Sequence, residues 1–394
     1  MIRHLFTLMW NKKKQNLLLM TEILFSFLVL FGVFTLLVHY FHIYKQPIGI
    51  AFEQVWVINY NGENPIEVDS PAESAARYAA AKQTLDNMPE IESCSYASSN
   101  VPFSMNNNNG SVDYGNQSVL ADNFTVDPEY PEVTGVKLAE GRWFSSDDDG
   151  SKYHPVVINK SLKEKLFPNE TAVGKILGEK GGNYFEKVVG VAENVKDEGD
   201  YVGYEPAKYN RIDTAGYRWV SRILIKVKPG YQAGFENKLH KTMAGILKTS
   251  VEIEKLSQKK VSKNRITLIP MVIMLLLTGF LLLNVALGLF GVLWYNINKR
   301  RAEIGLRRAV GASGPSVMKQ IVTEALVLTT FAVALGCFFA VQFPLMHVFN
   351  LETQTYLEAL LLALFFMYAL VAICSLYPGQ QAASIYPADA LHED

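Results

Sequence analysis

The chain has 394 residues, a formal net charge of −1 at neutral pH and three cysteines. That near-neutral balance says nothing for or against nucleic acid, but no basic aromatic groove suggests it. With Cys337 and Cys374 inside apolar runs and only Cys94 outside them, no disulfide framework is available outside those runs. Hydrophobic residues make up 49% of the chain and gather in four runs, which excludes an ordinary soluble domain and predicts a membrane protein.

Residues 1–16 place Ile2, Leu5, Phe6, Leu8, Met9 and Trp10 between basic residues. This is the composition of an N-terminal amphipathic segment in the membrane interface, or of an extension of the first span. The first apolar run, Leu17 to Tyr40, follows Arg3, Lys12, Lys13 and Lys14. It is too long for a signal peptide and lacks a small-residue cleavage site, so it is expected to stay attached as transmembrane helix 1 over 17–41. Glu22 lies about one turn from its inner end, where snorkelling lowers the cost of a charge. A contact with a partner helix and a proton relay are its two readings.

An extracytoplasmic domain is expected over 42–263. Val55 to Ile58 is strand-like by β-branching, a helical pattern runs from Ala72 to Met88, and a second strand lies near Ile91 to Tyr96. The pattern recurs at the far end, where Ile223 to Val227 is a strand, Ala233 to Leu247 a helix, and Val251 to Glu254 alternates as a strand does. Two β-α-β halves in one sheet predict an α+β domain of split ferredoxin-like type. Between them, about 101–220, lies an inserted mainly-β subdomain rich in Gly, Asn and Asp, with strands such as Pro155 to Ile158 and Val188 to Val191. Asn159 to Phe167 is its one clear helix.

The next run, Ile266 to Ile297, would be about 48 Å long against a hydrocarbon core of roughly 30 Å. It is expected to project as a stalk, with Ser257 to Arg265 continuing it and transmembrane/stalk helix 2 assigned to 264–297. Asn284, Gly288 and Gly291 suit close helix packing, either within the chain or across a dimer. Transmembrane helices 3 and 4 are expected at 321–343 and 359–377, leaving a cytoplasmic coupling loop at 298–320, an extracytoplasmic loop at 344–358 and a cytoplasmic tail at 378–394. Lys299, Arg300, Arg301, Arg307, Arg308 and Lys319 crowd the first loop, whereas His347 to Glu358 contains no Lys or Arg. The positive-inside rule therefore puts 298–320 and both termini in the cytoplasm.

Within that loop, Asn298 to Ser313 (NKRRAEIGLRRAVGAS) has a helical pattern. Arg300, Arg301, Arg307 and Arg308 share one arc, interrupted by Ile304, and Ala302, Leu306, Ala309 and Val310 share the opposite one. Glu303 precedes Arg307 by four residues, the favourable order for a helical pair. Gly311 is a helix stop and Ser313 the N-cap of the next helix. On charge alone this elbow is equally a positive-inside loop that only fixes orientation.

Chemistry of several kinds is missing from the sequence. There is no G-x-x-x-x-G-K-[ST] phosphate loop, and the cytoplasmic pieces are too short for a nucleotide-binding fold. The seven histidines show no metal-ligand spacing, and Asp147 to Gly150 lacks the alternation of a calcium loop and is expected to be a solvated acidic turn. No nucleophile elbow or Cys and His arrangement supports catalysis. The chain is expected to be no enzyme and to hold no cofactor.

The segment RRAEIGLRRAVGAS resembles the cytoplasmic stretch between the second and third membrane helices of MacB/FtsX-type ABC transporter permeases, through Glu303, Ile304, Gly305, Arg307, Ala309, Gly311 and Ala312. AEGRWFSSDD, VVINKSLKEKLFPNETAVGKIL and VVGVAENVKDEG are similar to the inserted subdomain of the MacB-type periplasmic domain. The tail has the family's Pro387, Ala388, Ala390 and Leu391, with Gln380 and Gln381 where basic residues are usual.

The resemblance implies a four-span permease subunit in a bacterial inner membrane, its large domain in the periplasm, that pairs with a second permease chain. ATP and Mg would be bound by a separate ABC ATPase dimer, and a periplasmic adaptor is a further implied partner. The implied function is export or efflux by mechanotransmission. The rival is an FtsX-like regulatory membrane protein that controls an envelope hydrolase. ATPase coupling is implied for Arg300, Arg301, Glu303, Ile304, Gly305, Leu306, Arg307, Arg308, Ala309, Gly311 and Ala312. If the elbow docks into an ATPase groove, its guanidinium groups are expected to pair with carboxylates there, and Gly305 to permit close approach of a partner backbone.

Overall fold

The computed structural model describes residues 13–60, 71–148, 150–178, 184–212, 220–231, 233–346 and 348–385. Nearly all of the N-terminal amphipathic segment, and Pro387, Ala388, Ala390 and Leu391 of the tail, lie outside the described residues. In chain order the elements are α1 (Lys13–Lys45), β1 (Val55–Asn59), α2 (Pro71–Asp86), β2 (Ile91–Ala97), β3 (Asn109–Tyr114), β4 (Gln117–Val126), α3 (Tyr130–Thr134) and β5 (Leu138–Gly141). There follow β6 (His154–Asn159), α4 (Lys160–Leu166), β7 (Ile176–Leu177), β8 (Glu186–Ala192), β9 (Ala207–Arg211), β10 (Arg222–Val227), α5 (Phe235–Leu247) and β11 (Glu252–Lys255). The chain then continues as α6 (Leu256–Lys299), α7 (Arg301–Ala309), α8 (Gly314–Ala340), α9 (Gln342–Leu345) and α10 (Thr353–Ala383). Two compact units result, Ile43–Leu268 and the remainder, Met1–His42 with Ile269–Asp394.

In the Ile43–Leu268 unit, the four strands of the two β-α-β halves lie in the order β11-β1-β10-β2 with every neighbour antiparallel, the ferredoxin-like arrangement. Val55, Trp56, Val57 and Ile58 are all buried because both faces of β1 are covered, which is why the strand is a continuous apolar run. Trp56 and Ile58 pack with Ala81 and Leu85 of α2 and with Phe235, Leu239, Met243 and Leu247 of α5, the last four spaced to form one helix stripe. Val55 and Val57 face the other way, into a second core with Phe124, Tyr130, Phe144, Val157 and Tyr209 of the insert.

The insert does not form a separate sheet. It joins the same one through a single pair, Ala97 with Val126, and the strand order runs on as β4-β9-β6-β8-β5, with β4–β9 and β6–β8 parallel. The helix expected at Asn159 to Phe167 is α4, capped by Asn159, whose Oδ1 accepts from the Leu162 N–H at 2.9 Å. A second, short helix, α3, accompanies it.

Among the described residues, four helices are long and apolar enough to cross a membrane: Leu19–Lys45, Leu256–Lys299, Gly314–Leu345 and Thr353–Ala383. Each runs beyond the limits drawn from hydropathy, because helical hydrogen bonding continues into polar sequence after the apolar run stops. The stalk helix thus starts at Leu256 rather than 264, α8 resumes at Gly314 inside the expected coupling loop, and α10 continues through Pro378 to Ala383.

Small residues let these helices approach one another. Ala325, Ala332, Gly336 and Ala340 of α8 and Ala359 and Ala363 of α10 are buried in one core with Phe27 and Phe31 of α1. A Cβ on Gly336 would lie 2.4 Å from the Phe27 ring, so only glycine fits there. The helix α6 enters this core through Val285, Leu289, Leu293 and Ile297, each four residues after the last. Its Gly288 lies against Glu22, where a Cβ would come within 2.7 Å of the carboxylate, so Glu22 faces a helix of its own chain. His42 is 3.1 Å from Glu358, tying the ends of α1 and α10.

Candidate functional site

The elbow α7 is a nine-residue helix with a defined stop. Gly311 adopts φ +103°, its N–H donates to the Arg308 carbonyl at 3.1 Å, and the Ala312 N–H donates to the Arg307 carbonyl at 3.0 Å. This is a Schellman ending, and the left-handed turn requires glycine. Ser313 then sits at the N-cap of α8 in extended backbone, but its side chain makes no cap bond, and Pro315 occupies the first turn.

The guanidinium groups of Arg300 and Arg307 are engaged within the chain. Arg300 is bonded to both oxygens of Glu303, at 3.0 and 3.3 Å, and to Glu324 of α8 at 3.0 Å. Arg307 bonds Glu303 at 2.6 Å and Gln320 at 2.8 Å, and Gln320 in turn donates to Glu324 at 2.9 Å. Arg300, Glu303, Arg307, Gln320 and Glu324 thereby form a closed ring that fastens α7 to the first turns of α8. Glu303, through hydrogen bonding, and Glu324, through charge, hold the Arg300 guanidinium above even its ordinary pKa. Arg308 lies over Gly314, its Nη1 3.1 Å from where a Cβ would stand.

Of the guanidinium groups expected to meet ATPase carboxylates, those of Arg300 and Arg307 are already engaged within the chain, by Glu303 of α7 itself and by Glu324 and Gln320 of the following helix. Ile304 and Gly305 are buried, Ile304 in the core of the membrane helices, and Ala312 packs against that core. The face left outside is apolar: Ala302, Leu306, Ala309 and Val310 are exposed, Leu306 to 56% and Val310 to 81%. Exposed apolar side chains are thus grouped on one face of this short helix.

Gln320 and Glu324 were not singled out from sequence. The signal was available, since Glu324 is an acid inside the apolar run that begins at Ile321 and needs a cation within reach. Val310 likewise belongs to the outward face although it falls outside the family pattern.

Among the described residues no three His, Cys, Asp or Glu side chains are placed to hold a metal. Asp148 is not a solvated turn residue, as it accepts from Arg142 Nη1 and Nη2 at 2.7 and 2.5 Å and from the Ser145 N–H at 3.0 Å. A groove along α2, lined by Tyr78, Lys82, Asp86 and Tyr96, is internally satisfied. Its Lys82 pairs with Glu129 at 2.9 Å and Asp127 at 3.4 Å. Cys94, 3.2 Å from Asp86, has its thiol pushed up by burial and by that carboxylate, the opposite of a nucleophile.

Comparison with known proteins gives two family matches along the chain. Residues 25–239 match the MacB-like periplasmic core domain and residues 271–387 the FtsX-like permease C-terminal domain. An uncharacterized ABC transporter permease, YvrN, of Bacillus subtilis (strain 168) is 25% identical over 293 residues, covering 68% of this chain and 69% of its own. The macrolide export ATP-binding/permease protein MacB of Chromobacterium violaceum is 28% identical over 303 residues, covering 71% and 44%. The chain thus spans a little under half the length of the MacB relatives it matches. Among solved structures, the periplasmic region of MacB from Actinobacillus actinomycetemcomitans is 20% identical, with a TM-score of 0.39 over 56% of this chain and 97% of that one.

Proposed function

The chain belongs to the MacB/FtsX-type ABC transporter permeases, and from that premise we propose that it couples ATP hydrolysis by a separate ATPase chain to movement of its outer domain, for export across the cell envelope. The observation that carries this is the outward face of α7, where Ala302, Leu306, Ala309 and Val310 stand exposed beside a ring that holds the helix rigidly to α8. A surface meant only to set orientation needs basic groups, not an apolar face. A surface that receives a push from a partner needs a rigid backing, and the closed ring supplies it.

In this reading the α7 side and both termini are cytoplasmic, and Ile43–Leu268 is extracytoplasmic. ATP and Mg are held by the ATPase dimer, this chain holds no cofactor, and a second permease chain completes the membrane part. The helix α6, Leu256–Lys299 with Pro270 inside it, would carry the movement. Purification of the full chain with its neighbours tests the proposal. An ATPase whose turnover rises on adding the chain supports it, and recovery with an envelope hydrolase and no ATPase overturns it.

A further inference from the structure

The Ile43–Leu268 unit includes the last residues of α1 and the first turns of α6, so it holds both points where its chain continues into a membrane helix. One loop touches both. It runs between β8 and β9, residues 193–206, and its contacts are polar and directional.

Toward α6, Asp200 and Asn264 form a reciprocal pair. The Asp200 N–H donates to Asn264 Oδ1 at 2.9 Å, and Asn264 Nδ2 donates to Asp200 Oδ2 at 2.7 Å. Lys260 lies 3.0 Å from Asp200, and the buried Lys263 lies 2.6 Å from Glu198 while donating to the Ser104 carbonyl at 2.8 Å. Toward α1, the fully buried Lys196 donates through Nζ to the carbonyl of Ile43, one of the last of that helix, where a cation is favoured. Its N–H donates to the Ile48 carbonyl at 2.9 Å, Tyr204 donates to the Pro47 carbonyl at 2.8 Å, and Tyr201 stacks on Tyr44 with ring centroids 5.6 Å apart. Lys196 Nζ also donates to the Asp200 carbonyl at 3.2 Å, so the residue that holds α1 is bonded to the residue that holds α6.

Glycines permit both approaches. Gly49 and Gly199 have φ of +79° and +105°, and a Cβ would stand 2.6 Å from the Asn194 carbonyl oxygen at the first and 2.5 Å from Asn264 Oδ1 at the second. The two held segments are more than 200 residues apart in the chain, and a loop that merely closed the domain would need one attachment rather than two.

We propose that residues 193–206 form a clasp that holds the end of α1 and the start of α6 in one grip, so that the outer domain answers to both membrane helices together. The proposal deepens the mechanical coupling proposed above and rests on it for its purpose, but its physical content is tested without any ATPase. The full chain in lipid nanodiscs is followed by hydrogen exchange. Asp200→Ala removes the side-chain bonds to Lys260 and Asn264. It is expected to speed exchange about tenfold, the size of one charge-assisted hydrogen bond, at 258–266 and also at 43–51. Lys196→Met, made from the other side, is expected to loosen 258–266 as well as 43–51, because coupling between two sites is reciprocal. A response confined to the mutated side in both variants overturns the clasp and leaves the permease reading untouched. Absence of ATPase stimulation by the parent chain overturns the permease reading and leaves the exchange result intact.

Discussion

Replacing Leu306 and Val310 together with serine removes the largest apolar side chains from the outward face of α7 without touching the ring behind it. Burying a Leu or Val side chain completely is worth about 1.5–3 kcal/mol. With Leu306 56% and Val310 81% exposed, a partner that covers both gains the unburied share, roughly 2–4 kcal/mol in all. The double variant should therefore bind the ATPase roughly 30- to 1,000-fold more weakly. The effect on the elbow itself is small, since both side chains point outward and serine differs from leucine in helix propensity by only tenths of a kcal/mol. Nanodisc-embedded chain, immobilised and titrated with the ATPase, reads the affinity directly. Arg307→Lys is the companion, because a lysine can still reach Glu303 while losing the fork to Gln320, and it should alter binding by less than about threefold. Parent-like binding by the serine variant, with a large loss for Arg307→Lys, would falsify the apolar-docking reasoning and restore the guanidinium groups as the contact.

Three further outcomes are expected. Lys208 donates to both oxygens of Glu186 at 2.7 Å in a nearly dry site, so Lys208→Met alone should cost about 3–5 kcal/mol, whereas Lys208→Met with Glu186→Leu should be close to neutral; denaturation of the full chain followed through tryptophan emission checks both. The carboxyl of Asp197 is pushed up to about 7 by burial and by the neighbouring Asp122 and Glu198. The folded state then keeps a proton that the unfolded chain releases near pH 4, so stability falls as pH rises from about 4 to about 7 and is level above; Asp197→Asn should remove that slope and raise stability at pH 8 by something of order 4 kcal/mol, and an unchanged slope would reject the assignment. Reporters fused after Tyr60 or Lys228 should read outside and fusions after Ser313 or at Asp394 inside, and an inside signal at Lys228 would contradict the orientation.

The two β-α-β halves were legible because β1 and β10 are covered on both faces and the helices carry a single buried stripe, two patterns that reach the sequence as an apolar run and a 3.6-residue period. The continuity of the sheet was not, since it hangs on one residue pair, Ala97 with Val126, whose identities carry no signal of pairing. At the elbow the period located the helix and its glycine stop. Which arc faces inward was decided by Gln320 and Glu324 on the next helix, and a single-helix pattern cannot contain that information. Asp148 shows the same limit on a smaller scale, as three adjacent acids look solvated until Arg142 folds back on one of them. The clasp was hidden for a similar reason, because its partners come from sequence positions near 45, 200 and 260.

The most direct measurement places a photo-cross-linking amino acid at Leu306, and separately at the buried Ile304, in the full chain within membranes that also contain the ATPase. Covalent capture of the ATPase from position 306, and none from 304, is the expected result, because only the first side chain leaves the elbow. An assembly that hydrolyses ATP in response to the chain, yet yields no ATPase adduct from position 306, would contradict the assignment of α7 as the coupling surface.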